Sequence, residues 1–409
     1  MWKKYIDINA VREIRVRNTV FFGVGAIAKI DFIIEKLKER GIGNVLVVTG
    51  HNAYKATGAW DYVAAAMKKH GMGYEIYDQV TPNPTADQVD EAVALGRQNK
   101  AGAVIGIGGG SPLDAGKSAA ILLKNSQYNA RDLYTFKFEP TEALPFVAIN
   151  LTHGTGSEVN RFAVVTIPET NYKPAIACDC IYPLYSIDDP ALATGLSFRQ
   201  TCYVSIDAVN HVVEAATSRI ANPLSITLAR QTIDAVNEYL PKVMEDPKNL
   251  EARYFLMYAA MLGGVAFDNS LLHYTHALEH PLSALKPELS HGLGLAMLLP
   301  AVLQNIYPVS GKVLVYIFES AIPGFKGEPE EAHKFAVRVE RWLKKMGAPE
   351  KLHDDGYQES DIDNLVSLAF NTPSLESLIG LAPTTSSCEA VAEIYRNSLY
   401  PMDKGKEDD

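Results

Sequence analysis

Cysteine is scarce in this chain: four residues, Cys178, Cys180, Cys202 and Cys388, among 409. That is too few and too scattered for a disulfide framework. Cys178 and Cys180, two apart, would share one face of a strand and read as buried thiols rather than metal ligands. Positive charge is also short, with 38 Lys+Arg against 48 Asp+Glu and a formal net charge of −10. No basic patch is available to meet nucleic acid or an anionic membrane surface, so neither is expected as a partner. No run of ~18 uncharged apolar residues is present to span a bilayer, and the opening MWKKYIDINA lacks the apolar core of a signal peptide, which makes a cytoplasmic location the expectation. What the chain does have is apolar content, 47% hydrophobic against 21% charged. That is enough for a large core, and at roughly 100–200 residues per domain the length predicts two domains.

Short β-branched runs at 45–49, 74–77, 104–107 and 146–150 read as strands. Between them, 26–40, 61–70, 85–99 and 112–123 place apolar residues at three- and four-residue spacing and read as helices. Such alternation predicts βαβ units and a doubly wound, mostly parallel sheet. Past 185–190 the pattern changes to successive long helices at 205–219, 223–244, 250–269 and 293–306, punctuated by Pro223, Pro241, Pro287 and Pro300. We therefore expect an α/β domain at 1–188 and an all-α domain at 189–409, with a frayed charged tail at 404–409.

One strand candidate runs directly into Gly108, Gly109 and Gly110, followed by Ser111, Pro112, Asp114 and Lys117. Ser111 suits the N-cap of a helix and Pro112 its first position, where a missing N–H costs nothing. Glycines let backbone approach a phosphate, and the helix start offers free N–H groups and a partial positive charge. The stretch therefore reads as a diphosphate cradle. It is not an ATP-type P-loop, because Ser111 stands where the first glycine would have to be. Nor is it a dinucleotide fingerprint, since Gly106 and Gly108 are followed by Ser111 in place of the third glycine, on a late strand.

In the second half, Asp207 and His211 are four residues apart, as are His276 and His280, so each pair lies on one helix face. His273 extends the second stripe, and His291 opens the next helical run after the break at 285–290. A carboxylate with several imidazoles and no thiolate suits Fe(II) or Zn(II). A divalent ion beside a diphosphate cradle suggests a dehydrogenase, the ion holding an alcohol oxygen while hydride leaves the carbon.

With these features together, the chain resembles the iron-containing (group III) alcohol dehydrogenases over nearly its whole length. Their Gly-Gly-Gly-Ser-x-x-Asp-x-x-Lys motif, which binds the cofactor diphosphate, is matched by Gly108, Gly109, Gly110, Ser111, Asp114 and Lys117, with Gly116 where alanine is usual. Residues 152–158, including Thr152 and Thr155, are similar to the family's Thr-x-Gly-Thr-Gly-Ser-Glu loop at the nicotinamide end, with His153 where alanine is common. Asn83, Pro84 and Lys173 correspond to further cofactor-contacting positions. The resemblance implies Asp207, His211, His276 and His291 as ligands of Fe(II), with Zn(II) the other candidate, and His280 as the further, catalytic histidine; its place in the same stripe suits it to relay the alcohol proton to solvent. It also implies a dehydroquinate synthase-like fold and a homodimer or higher homo-oligomer. The segment 281–290 is slightly longer than in many relatives.

After the strand at 45–49, NAD-preferring members of the family tend to carry an Asp that repels a 2′-phosphate. Gly50 stands there, followed by His51 and Asn52, so NADP(H) is expected to be favoured over NAD(H). The expected reaction is reversible hydride transfer between a small primary alcohol, or its aldehyde, and the nicotinamide. Phe162, Phe267 and Leu271 are candidates for the substrate pocket. The alternatives on the same architecture are a glycerol or polyol dehydrogenase and a dehydroquinate synthase-like lyase. A phosphorylated acidic substrate would need several basic residues near the metal, and only Lys286 lies between His276 and His291.

Overall fold

Val45, Leu46, Val47 and Val48 are consecutive and all fully buried, which requires covering layers on both sides of one strand. The computed structural model, which describes Arg15 and residues 17–402, supplies them. The strands of the first half are β1 (Thr19–Phe22), β2 (Asn44–Thr49), β3 (Gly73–Tyr77), β4 (Ala103–Gly108), β5 (Phe146–Asn150) and β8 (Tyr185–Asp188), all parallel in the order β1-β8-β5-β4-β2-β3. A small antiparallel pair, β6 (Phe162–Val164) and β7 (Ala175–Ala177), lies outside the sheet. The helices of this half are α1 (Ile30–Glu39), α2 (Ala53–Ala56), α3 (Ala59–His70), α4 (Ala86–Gln98), α5 (Gly110–Lys124) and α6 (Ala130–Tyr134). α1 and α3 pack with Val45, Val47, Ile105 and Ile149 on one face of the sheet, while α4 and α5 pack with Leu46, Val48, Val104 and Phe146 on the other. α4 starts where the sequence predicts it, because Thr85 and Gln88 form a reciprocal capping box.

The second half is helical: α7 (Phe198–Thr217), α8 (Pro223–Glu245), α9 (Leu250–Ser270), α10 (Tyr274–Leu285), α11 (His291–Ile317), α12 (Ala332–Met346), α13 (Ile362–Asn371), α14 (Leu375–Ile379) and α15 (Cys388–Leu399). They share one core built around α11. Pro241, Pro281, Pro300 and Pro308 lie inside helices, not at their ends. An interior proline costs ~3 kcal/mol, and the burial of almost every apolar side chain of α11 outweighs it. By length and mean hydropathy α11 would also pass for a membrane span, although Gln304, Asn305 and Ser310 interrupt its apolar run. However, 78% of the span is buried inside this fold, as expected of a central core helix.

Cys178 and Cys180 do not share a strand face. β7 stops at Ala177, Cys178 precedes a 3₁₀ turn, Asp179–Ile181, and both thiols are half-buried. The tail at 404–409 lies outside the described residues. Backbone of the two halves is in direct contact at Gly156, which at φ +60° lies against Gly264 of α9, and a Cβ on Gly156 would fall 2.4 Å from the Gly264 Cα. Only glycine at both positions lets the 152–158 loop press onto the helical half.

Candidate active site

α7 presents Asp207 and His211 one turn apart on its buried side, held in register by Ser197, which caps the helix by accepting from Gln200 N at 3.2 Å. The chain then turns through 107° between α9 and α10, with Leu271 in left-handed backbone at φ 57°. That bend directs His276 and His280 back toward α7. His291 opens α11 and completes the cluster.

The Nε2 atoms of His211 and His276 each lie 3.5 Å from Asp207 Oδ1, and that of His291 lies 3.9 Å from it. A small cation held at ~2.0–2.2 Å by four donors needs donor separations of roughly 3.4 Å. Asp207 Oδ1 and His276 Nε2 are buried and have no hydrogen-bond partner. Unpaired buried polar atoms that converge on one point fit a bound ion. The donor atoms of Asp207, His276 and His291 all lie within 4.8 Å of one another, His211 joins them through its 3.5 Å approach to Asp207, and one carboxylate with three imidazoles is a chemistry that fits Fe(II) or Zn(II).

Two residues that the sequence reading did not assign complete the centre. Glu214, fully buried, accepts from His276 Nδ1 and from the backbone N–H groups of His273 and His276 at 2.9 and 3.2 Å. Glu279, also fully buried, accepts from His291 Nδ1 and faces Lys173 Nζ at 3.5 Å. Each carboxylate fixes the proton of its histidine on Nδ1 and leaves Nε2 as the free donor atom. The signal was present: Glu214 is seven residues after Asp207, and Glu279 three after His276, each on the same helix face. Burial works against charge on Asp207, yet the neighbouring His211 and His276 hold it at about 2. Burial likewise opposes charge on His276, but Glu214 and Asp207 raise it to about 9. His273 is no ligand. It caps α10, accepting from Tyr274 N at 2.7 Å, and bonds Thr217 Oγ1 at 2.9 Å.

The cradle forms differently from the sequence expectation. α5 begins at Gly110 with Gly109 as N-cap, so Ser111 and Pro112 are the second and third helical residues. The glycines let the helix wind up to the end of β4, and Pro112 still falls among the N–H groups that have no acceptor. A Cβ on Gly110 would meet Thr155 Cγ2 at 2.6 Å, and one on Gly109 would meet Thr152 Cγ2 at 2.9 Å. Asp114 is occupied, accepting from Ser157 Oγ at 2.9 Å and Val164 N at 3.0 Å. Lys117, expected on the diphosphate, is fully buried. Its ammonium donates to Ser157 Oγ, Asn160 O, Asn160 Oδ1 and Phe162 O, which makes it a pin beneath the loop.

A cavity of about 620 Å³ lies at the carboxyl ends of the strands, between the halves. It brings together Asn83, Pro84, Gly110, Ser111, Asp114, Thr155 and Lys173 on one side and Asp207, His211, His276, His280 and His291 on the other, with Phe162, Phe267 and Leu271 also in its wall. Gly50, Gly108, Gly109, Thr152 and Lys117 are not in its wall. The halves are tied across it by Asn83 Nδ2, which donates to Pro287 O at 2.9 Å, and by Lys173, whose Nζ donates to Ser283 Oγ at 2.8 Å. The Lys173 carbonyl accepts from His280 Nδ1 at 2.8 Å. Fully buried His153 stays outside the wall. Burial and the Arg253 guanidinium push it down to about 3.

Residues 18–190 match the iron-containing alcohol dehydrogenase family, and residues 201–399 match the C-terminal region of the Fe-containing alcohol dehydrogenase family. The chain is 54% identical over 399 residues to the long-chain primary alcohol dehydrogenase of Thermoanaerobacter ethanolicus, covering 98% of this chain and 100% of that protein. It is 32% identical to the 1,3-propanediol dehydrogenase of Klebsiella pneumoniae, covering 94% and 98%. Among solved structures, the NADH-dependent butanol dehydrogenase A of Thermotoga maritima superposes with a TM-score of 0.86 at 30% identity, covering 95% of this chain and 98% of that one.

Proposed function

The chain belongs to the iron-containing alcohol dehydrogenase family and is an alcohol dehydrogenase, and we propose that it uses Fe(II) and a nicotinamide cofactor to interconvert long-chain primary alcohols and their aldehydes. The observation that carries the metal assignment is the convergence of three imidazole Nε2 atoms on the unpaired Asp207 Oδ1. Asp207, His211, His276 and His291 would hold the ion. When bound, the ion supplies Lewis acidity to the substrate oxygen and the nicotinamide accepts or returns hydride.

The chain's own residues orient and enclose these groups. The free N–H groups at the start of α5, around Gly110 and Ser111, favour a diphosphate, with Thr155 alongside. His280 donates its Nδ1 proton to the Lys173 carbonyl, so Nε2 is left to take the alcohol proton and pass it outward. Phe162, Phe267 and Leu271 exclude water from the wall beside the metal ligands. Lys173 is the only Lys or Arg in the cavity wall among the described residues, and Glu279 faces it. A neutral substrate fits such a wall. The apolar side chains and the relative from T. ethanolicus favour a long alkyl chain over the small alcohol the sequence suggests.

For the cofactor, β2 ends in Thr49 and runs into Gly50, His51 and Asn52 with no carboxylate to repel a 2′-phosphate, which favours NADP(H). The test is an anaerobic assay of Fe(II)-loaded protein with a primary alkanol, run with NADP and NAD in parallel and repeated after chelation. Turnover that disappears with the metal is expected. Catalytic efficiency at least about tenfold better with NAD(H), which is about 1.4 kcal/mol in the barrier, would refute the cofactor preference.

A further inference from the structure

Phe136 occupies a position built for glycine. α6 ends in a Schellman turn, in which Phe136 N donates to Leu133 O at 3.2 Å and Lys137 N to Asp132 O at 3.0 Å. The residue at this point of the turn must adopt left-handed backbone, and Phe136 does so at φ 56°. Glycine would serve there without strain. The aromatic side chain is not explained by core packing either, since it is 51% exposed. Strained backbone of this kind gathers at functional sites. Asn83, Leu271 and Ser374, three more non-glycine residues at positive φ, line the large cavity that Phe136 also lines.

A second chamber of about 390 Å³ lies beyond Phe136. Its wall includes Leu133, Phe138, Glu139, Pro140 and Cys178, and it shares Phe136, Ile176 and Ala177 with the large cavity. The two therefore adjoin at Phe136 and at Ile176 and Ala177 of β7. Apart from Glu139, the side chains that meet at this seam and beyond it are apolar or a thiol, and none of the four metal-ligand candidates lines the second chamber. A linear alkyl chain is the ligand such a path suits, because each methylene gains by leaving water while no polar group needs a partner.

We propose that Phe136 sets the length of alkyl chain this enzyme accepts, and that the second chamber receives the ends of tails too long for the first. This rests on the reading of the site as one for primary alcohols. The experiment measures kcat/KM on the metal-loaded enzyme for 1-alkanols from butanol to hexadecanol, each below its solubility limit, in wild type, Phe136→Gly and Phe136→Trp. In wild type the value rises about fourfold per methylene and then levels off. The levelling point should move to longer chains in Phe136→Gly and to shorter ones in Phe136→Trp. The melting temperature of Phe136→Gly should equal or exceed that of wild type, since glycine relieves the turn. A levelling point at the same chain length in all three folded proteins would overturn the proposal and leave the alcohol reading intact. Absence of turnover on every alkanol by loaded wild type would overturn that reading, and this inference with it.

Discussion

Replacing Glu214 with glutamine should weaken metal binding without emptying the site of any proposed ligand. One carboxylate oxygen takes the backbone N–H groups of His273 and His276, and the other faces His276 Nδ1. A glutamine carbonyl can keep the two backbone bonds, but its NH₂ group then points at Nδ1. Two donors cannot face each other, so His276 must move its proton to Nε2, the atom that lies 3.5 Å from Asp207 Oδ1. The proton then stands where the ion would bind. Losing a carboxylate that orients a ligand histidine costs 10–100-fold in metal affinity, about 1.4–2.7 kcal/mol. The assay is competition of apo-protein with a chromogenic chelator for Co(II) or Zn(II), alongside the rise in melting temperature that saturating metal produces in each protein. Apo-protein of near wild-type stability with a metal affinity down by that factor is expected. An affinity within about threefold of wild type would show that Glu214 does not set the tautomer of His276, and the argument would fail.

Gly110→Ala places a Cβ 2.6 Å from Thr155 Cγ2, so the 152–158 loop must shift off the cradle. Nicotinamide affinity should fall at least about tenfold while Co(II) affinity holds, read by cofactor fluorescence and metal titration. Lys117→Met strands buried acceptors on Ser157, Asn160 and Phe162, and denaturant unfolding should show a loss of about 2–5 kcal/mol. A loss under about 1 kcal/mol would mean water replaces the ammonium. His153 is buried with a folded value depressed to about 3. Above its unfolded value near 6.5 neither state is protonated. As pH falls below that, only the unfolded chain gains the proton, so stability is lost down to the folded value. At pH 5 this amounts to roughly 2 kcal/mol. Urea unfolding of wild type and His153→Gln at pH 7 and pH 5 should differ in their acid losses by about that amount, and equal losses would clear His153 of the effect.

Four strands of the sheet, the interior β2, β4 and β5 and the edge strand β3, were legible in the sequence because β2 and β4 are unbroken apolar runs and β3 and β5 alternate with helices of clear period. β1 and β8 escaped because each is four residues long, too short for any periodicity, and is defined by pairing across 166 positions of chain, as Thr19 with Tyr185. Proline did not end these helices: the ranges read from the sequence, 223–244 and 293–306, already run through Pro241 and Pro300, and both residues lie inside helices. At the site, side chains that point outward from a helix at i and i+4 were readable, which is how Asp207, His211, His276 and His280 emerged. What residues do once buried was not. Lys117 satisfies the cofactor motif by letter, yet its ammonium is consumed by four acceptors from one loop, and nothing in the spacing of residues 108–117 reveals that. Glu214 and Glu279 stood beside recognised histidines and were passed over because their role depends on which ring nitrogen faces which carboxylate, a matter of rotamer and tertiary approach.

The charge of the cluster argues for the valence of its occupant. Asp207, Glu214 and Glu279 are three buried carboxylates, each held below its ordinary range against burial by the histidines around it, with Lys173 aiding Glu279. Lys173, the one ammonium, is nearly buried against Glu279. With neutral imidazoles, three negative charges and one positive leave the centre two units negative in a water-poor interior, where uncompensated charge is strongly unfavourable. One divalent cation balances that deficit, whereas a monovalent ion would leave half of it. Protons are the competing solution, and His276, raised to about 9 between Asp207 and Glu214, is where the first would sit. Metal and proton thus contend for the same Nε2 atom, so metal affinity must rise with pH across the neutral range. The same balance explains why Glu214 and Glu279 are carboxylates where an amide would fill the space: each supplies orientation to a histidine and one of the charges that a divalent ion is needed to offset.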